Sequence, residues 1–265
     1  EEDDHPDDPP AYGFMGWSAN DSLAYVYDRY DIWACDPAGK KKPICITSGL
    51  GRKHKIEHRY VHLQPEDRFV DTKKPILLHL AGEVSKGESW QVLYPGKPFQ
   101  FPGNEKKLLA AARFDGAIKA RDADRIIYRR QDPLAQDIYL SGLNDITDPS
   151  QAMRISSLNP QQAAYNWFTV ELSHWKMLNG KMGEGLLYKP ENFDSTKKYP
   201  VIFYFYERNA GNRYNYIEPM PVRASINIAW YVSNGYIVFD PNIYYTTGQP
   251  GEDAYNSVVS AAKYL

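Results

Sequence analysis

The run Tyr199-Pro200-Val201-Ile202-Phe203-Tyr204-Phe205-Tyr206 constrains this chain more than any other stretch. A strand wet on one face alternates apolar and polar residues. A run apolar at successive positions suits a strand covered on both faces, as in a parallel sheet flanked by helices. Its residues are aromatic or β-branched, which favours strand over helix. Pro200 fits a strand's first position, where a ladder hydrogen bond is least missed. Glu207 and Arg208 close the run with charge. The expectation is a central buried strand over 201–206, with a different kind of structure before it and a βαβ unit after it.

The flanks agree with that reading. Upstream, Val170 to Met177 alternates apolar and polar, Asn179-Gly180 is a hairpin turn signal, and Gly183 to Pro190 is the return strand. Downstream, a helix is predicted over 225–233, with Ile226, Ala229 and Trp230 on one face and Asn234-Gly235 closing it. Tyr236 to Phe239 reads as the next buried strand. Gly248 to Gly251 turns into a second helix from Glu252, with Ala254, Val258, Ala261 and Leu265 on one face. Glu252 and Asp253 sit where its dipole favours them. Such a sheet would leave an open edge after Tyr236–Phe239, with self-association or disorder of the last helix as the expected consequence.

Residues 11–165 read as all-β. Short strands bounded by turn residues are predicted at Leu23 to Tyr27, Asp31 to Asp36, Pro43 to Thr47, Arg59 to Leu63, Pro75 to Leu80 and Trp90 to Tyr94. Further strands follow at Lys107 to Phe114, Arg125 to Tyr128 and Asp137 to Leu140, although Leu108 to Ala112 equally suits a helical turn. The order turn, strand, Asp31-Ile32-Trp33, turn, strand resembles a β-propeller blade, with Trp33 expected between blades. Residues 1–10, acidic and proline-rich, have too little apolar surface to fold alone. His54 and His58 stand four apart, a spacing zinc ligands use, but no third ligand accompanies them and the segment reads as a solvated loop. Cys35 and Cys45 flank a turn and read either as a disulfide across a hairpin or as two small buried thiols. The net charge of −2 gives no global positive field to recruit nucleic acid, and no apolar run has membrane-spanning length. The chain opens Glu1-Glu2, so both ends read as cut.

From Asn159 onward the sequence resembles the serine peptidases of the prolyl oligopeptidase family, and most closely its dipeptidyl-peptidase-like members. The resemblance rests on Glu184 to Phe193, Lys197-Lys198-Tyr199-Pro200 with the strand that follows, Asn234 to Asp240, and Gly248 to Tyr255. It implies a β-propeller fragment over 11–165, then the N-terminal half of an α/β-hydrolase domain over 166–265. It implies hydrolysis of short peptides by the intact parent, without a cofactor, a metal, nucleic acid or a membrane. It implies that Tyr206, at the strand's exit, lends its hydroxyl to an oxyanion hole. The family's Gly-x-Ser-x-Gly elbow is missing here, and no histidine follows His174, so the segment alone is expected to be inactive. Two departures stand out: Glu207-Arg208-Asn209 replaces small residues, and Pro241-Asn242-Ile243 follows the matching Asp240 where Arg-Gly is usual. A non-enzymatic scaffold on the same fold and an α/β-hydrolase esterase are the rival readings.

Overall fold

A computed structural model describes residues 8–101, 108–223 and 225–265. The chain forms two compact units, one of 11–131 and 136–158, the other built on 132–135 and 159–265.

The first unit holds three antiparallel sheets. Strands β1 (Phe14–Trp17), β2 (Ala24–Tyr27), β3 (Ile32–Cys35) and β4 (Ile44–Cys45) form the first, in sequential order. Helix α1 (Leu50–His54) leads into β5 (Ile56–Tyr60), β6 (Ile76–Gly82) and β7 (Glu88–Leu93), the second sheet. The third comprises β8 (Arg113–Lys119), β9 (Ile126–Asp132), β10 (Ala135–Ser141) and β11 (Met153–Arg154). Strand β6 explains their packing. Ile76, Leu78 and Leu80 join Tyr25, Ile32 and Ala34 of the first sheet in one core. Leu77, with Trp90 and Val92 of β7, joins Phe114, Ile126 and Tyr128 of the third sheet in another. Successive side chains of a strand point to opposite faces, so a sheet covered on both faces needs an apolar run rather than alternation.

Several expectations are corrected here. Ile32 packs between the first two sheets, whereas Trp33 faces away and donates its indole N–H to Asp28 at 3.0 Å. The neighbouring Asp31 is buried and organises the following loop, accepting from Thr47 Oγ1 (2.6 Å), Gly51 N (3.0 Å) and Arg52 N (2.8 Å). The 52–59 stretch is α1 and β5 rather than a solvated loop. His58 is fully buried, stacked on Phe101 at 5.9 Å with Nδ1 3.0 Å from the Tyr30 carbonyl. Burial pushes its pKa down, so it packs as a neutral ring. The predicted Lys107 to Phe114 strand begins in part outside the described residues; Ala110 bridges Glu88, and the strand proper starts at Arg113 in the next sheet. Cys35 and Cys45 are free thiols: the register sets Trp33, not Cys35, opposite Cys45.

The second unit is built differently. Strands β12 (Phe168–Lys176) and β13 (Met182–Pro190) form a long hairpin whose turn places Gly180 at φ 84°, a conformation that costs other residues strain. Then come β14 (Val201–Phe203), α2 (Ile228–Ser233), β15 (Ile237–Pro241) and α3 (Pro250–Tyr264). The sheet order is β12-β13-β15-β14, with β15 antiparallel to β13 and parallel to β14. Alternation along the strands serves two cores. Phe168, Leu186, Tyr188 and Val238 meet Ile228, Ala229 and Val232 of α2. Trp175, Leu187, Ile237 and Phe239 meet Ala261 of α3. One helix therefore covers each face.

The 201–206 run is only partly as expected. Ile202 and Phe203 do face opposite cores, but the strand is three residues long and lies at the sheet's edge. With no strand beside it among the described residues, it stays half-buried, and Phe205 and Tyr206 lie exposed beyond its end. The open edge is thus β14, not β15, which is interior. The helices are rotated from their predicted faces. Trp230 is 55% exposed while Ile228, Ala229 and Val232 are buried. In α3 the buried residues are Asp253, Ser257, Ser260 and Ala261, and Leu265 is exposed. The serines tolerate burial because Ser260 Oγ accepts the Trp175 indole at 2.8 Å and Ser257 Oγ donates to the Asp253 carbonyl at 2.9 Å.

Candidate functional site

In a sheet with parallel strands, the loops leaving the strands' C-terminal ends form the natural crevice for a ligand. Here those ends belong to β14 and β15. The ladder continues one residue past β14, with Tyr204 N donating to the Phe239 carbonyl at 3.0 Å. Ile243 N then donates to the Glu207 carbonyl at 2.8 Å, so the two exits run side by side.

A polar network ties these exits together. Asn242 Oδ1 accepts from Ala210 N at 2.9 Å, and its Nδ2 donates to Glu184 Oε1 at 3.1 Å and to the Tyr244 hydroxyl at 3.4 Å. Asn242 N donates to the Glu184 carbonyl at 2.9 Å. Asn209 Nδ2 donates to Asp240 Oδ1 at 3.1 Å. His174, across the hairpin from Glu184, lies 3.7 Å from its Oε2. The Arg208 guanidinium sits over the Tyr244 ring at 5.0 Å. Gly185 makes the close approach of β13 and β15 feasible here. A Cβ at that position would lie 2.7 Å from both the Asp240 carbonyl oxygen and Pro241 Cα.

Asp240 is 4% exposed. Burial pushes its pKa up from 3.8 to about 7, and the Asn209 amide only partly opposes this. The carboxyl therefore changes its proton near neutral pH inside the network. Burial also raises the Tyr188 and Tyr244 phenols, in Tyr188 with help from the Asp240 charge.

Tyr206 stands at the mouth of this region, 75% exposed. It is an O–H donor held on the short segment between the end of β14 and Glu207, whose carbonyl is anchored to Ile243. The serines that follow β14 are engaged structurally at three of four positions. Ser257 and Ser260 are buried in α3, and Ser233 donates to the Trp230 carbonyl at 3.0 Å. Among the described residues no group of three or more His, Cys, Asp or Glu side chains could hold a metal ion, and no helix is long and apolar enough to cross a membrane. Sequence reading singled out Tyr206 and Asp240 but missed Glu184, Asn209, Asn242 and Tyr244 as one network. The available signal was the pair of amides beside the two exits: Asn209 bonds Asp240, and Asn242 bonds Ala210, Glu184 and Tyr244.

No protein-family model matches the sequence, and no curated protein does. Solved structures do match. A Bacteroides ovatus protein described as a dipeptidyl aminopeptidase IV superposes with a TM-score of 0.63 at 12% identity, over 95% of this chain and 38% of its own. Prolyl oligopeptidase B of Galerina marginata, solved with a 35mer hydrolysis and macrocyclization substrate, gives 0.57 at 8% identity, over 95% and 34%. Porphyromonas gingivalis dipeptidyl peptidase 4 gives 0.55 at 16% identity, over 86% and 30%. Over most of its length the chain has the fold of these peptidases' propeller region. It is mostly antiparallel sheet, and it spans 30–38% of the length of these three proteins. At such identity the likeness is one of fold, and residue roles must be argued from this chain alone.

Proposed function

We propose that the chain is a segment of a serine peptidase of the prolyl oligopeptidase type. On this reading 1–10 are an acidic tail, 11–165 are propeller blades, and 166–265 are the N-terminal part of an α/β-hydrolase domain. The observation that carries it is the order β12-β13-β15-β14, antiparallel first and parallel next, with α2 and α3 on opposite faces. Sequential blades do not cross over in this way, as the first three sheets illustrate.

Tyr206 is the residue this reading assigns to chemistry. A phenol at the C-terminal end of β14 donates to the oxyanion that forms when a serine attacks a peptide carbonyl, stabilising charge that develops only in the transition state. Its high exposure suits a side chain not consumed by packing. Asn209, Asp240, Asn242 and Glu184 hold the two exits in register and so position Tyr206 without touching substrate. Nucleophile, acid and histidine would come from the parent beyond this segment, and short peptides are the substrate class the propeller admits. Residues 1–265 alone are inactive.

A fluorophosphonate probe tests this on the 265-residue chain and on the longest product of its gene. The longer product should be labelled at a serine beyond Leu265 and should cleave short peptides, while the chain alone stays unlabelled. Labelling of a serine within 1–265 overturns the inactive-segment reading. A longest product that neither labels nor cleaves replaces the peptidase with a binding protein on the same fold.

A further inference from the structure

A cleft of about 630 Å³ lies in the second unit, on the side of the sheet that α2 covers, and none of the strand-exit residues lines it. Its floor is a stack of Trp167 on Tyr216, with centroids 5.8 Å apart and planes at 19°. The stack is fixed at both edges. The Trp167 indole donates to the Pro133 carbonyl at 2.7 Å, and the Tyr216 hydroxyl donates to Gln162 Oε1 at 2.6 Å. Gln162 Nε2 in turn donates to the Leu134 carbonyl at 2.8 Å.

Two further aromatic side chains line the cleft, and packing does not account for them. Trp230 is on α2, but the residues that α2 buries are Ile228, Ala229 and Val232. Tyr165 is 68% exposed, just ahead of β12. The Trp230 ring is nonetheless set edge-on to Tyr231 at 5.0 Å, which is itself edge-on to Tyr236 at 5.6 Å. An exposed indole offers a large apolar face with only two side-chain torsions to fix on binding.

The polar lining decides what that face meets. It consists mainly of amides, among them Asn159, Gln161, Asn166 and Asn234. Among the described residues Glu218 is the single charged side chain of the cleft, and no Lys, Arg or His lines it. Without a cation the site has nothing to neutralise a phosphate or carboxylate. A purely apolar ligand would strand the amides, at about 1–3 kcal/mol for each group left without water or a partner. The complementary ligand has flat C–H faces for the rings and neutral hydroxyls for the amides: Asn159 and Asn234 each spend one N–H within the chain, on the Tyr216 hydroxyl at 3.4 Å and the Trp230 carbonyl at 2.7 Å, and each amide group keeps a second N–H and an acceptor oxygen. A pyranose has both. The volume lies within the range of small-ligand sites, roughly 300–1,000 Å³.

We propose that this cleft binds a neutral oligosaccharide, with Trp230 and Tyr165 as stacking platforms. The site stands apart from the strand exits, and the proposal does not depend on peptidase activity.

The test is titration of the purified 265-residue chain, by calorimetry and tryptophan fluorescence, with maltohexaose, cellohexaose, xylohexaose and chitohexaose. Polygalacturonate serves as the acidic control and decaproline as a ligand of another class. At least one neutral hexasaccharide should bind saturably with a fluorescence change, and polygalacturonate should not. Trp230→Ala and Tyr165→Ala should each weaken that binding about tenfold, with unchanged thermal melts because both side chains are exposed. Trp17→Ala, in the other unit, should leave it unaltered. The proposal is overturned if no neutral hexasaccharide binds, if binding survives both variants undiminished, or if decaproline alone binds and Trp230→Ala abolishes it.

Discussion

Replacing Asp240 by asparagine should change how stability depends on pH, by an amount that follows from its burial. The folded-state pKa is raised from 3.8 to about 7. Between those values the folded chain holds a proton that the unfolded chain has lost, so stability falls as pH climbs through that window. At pH 5 the folded carboxyl is protonated and the unfolded one ionised, a penalty of about 1.7 kcal/mol. At pH 8 both are ionised and the penalty reaches about 4 kcal/mol. Asparagine does not titrate. It keeps the oxygen that accepts from Asn209 but adds an amide N–H₂ in a site built for an acceptor, costing about 1–3 kcal/mol at either pH. The quantity to measure is therefore the stability of Asp240→Asn minus that of the parent chain, by urea unfolding followed by fluorescence at pH 5 and pH 8. That difference should rise by about 2.5 kcal/mol from the lower to the higher pH. A difference that is flat, or that falls, would refute the reasoning that Asp240 is buried without a compensating cation.

Three other outcomes follow from the same structure. On the proposed function, Tyr206→Phe in the longest gene product should lower kcat about 100-fold with KM and melting temperature little changed, since the side chain is exposed; a wild-type kcat would remove Tyr206 from the chemistry. Gly185→Ala drives a Cβ to within 2.7 Å of the Asp240 carbonyl oxygen and Pro241 Cα, so it should destabilise the chain by about 1–3 kcal/mol in chemical denaturation, and an unchanged midpoint would count against the close approach of β13 and β15. The edge of β14 should drive concentration-dependent association, visible by light scattering and reduced by Val201→Lys; a chain that stays monomeric at every concentration contradicts this.

The legible parts of the fold were those whose residues make local signals. The β12–β13 hairpin could be read from alternation and from Asn179-Gly180, and most strands of the first unit from turn residues at their ends. What escaped depends on partners distant in sequence. The 201–206 run carries the composition of a doubly covered strand, and Ile202 and Phe203 do reach opposite cores, but lateral exposure depends on which strand lies alongside. His58 looked like a charged loop residue because Arg52, Lys53 and Lys55 precede it, yet β5 carries it under Phe99 and Phe101. In α3, serines took the buried face since Trp175 needed an acceptor that no aliphatic side chain supplies. Tyr206 and Asp240 could be named only through the family resemblance; the amides that bind Asp240 and Asn242 into one network could not be named at all, because they converge only when β14 and β15 pair in parallel.

The proposed function rests on that parallel pairing, which one more sequential blade would lack, and cysteine cross-linking reads it directly. In a Cys35→Ser, Cys45→Ser background, Ile202→Cys combined with Val238→Cys should oxidise readily, because these residues face each other in the β14–β15 register. Ile202→Cys combined with Leu186→Cys should not, since β15 lies between the two strands. Cross-linking of 202 to 186 and not to 238 would put β14 beside β13 in sequential order and contradict the account.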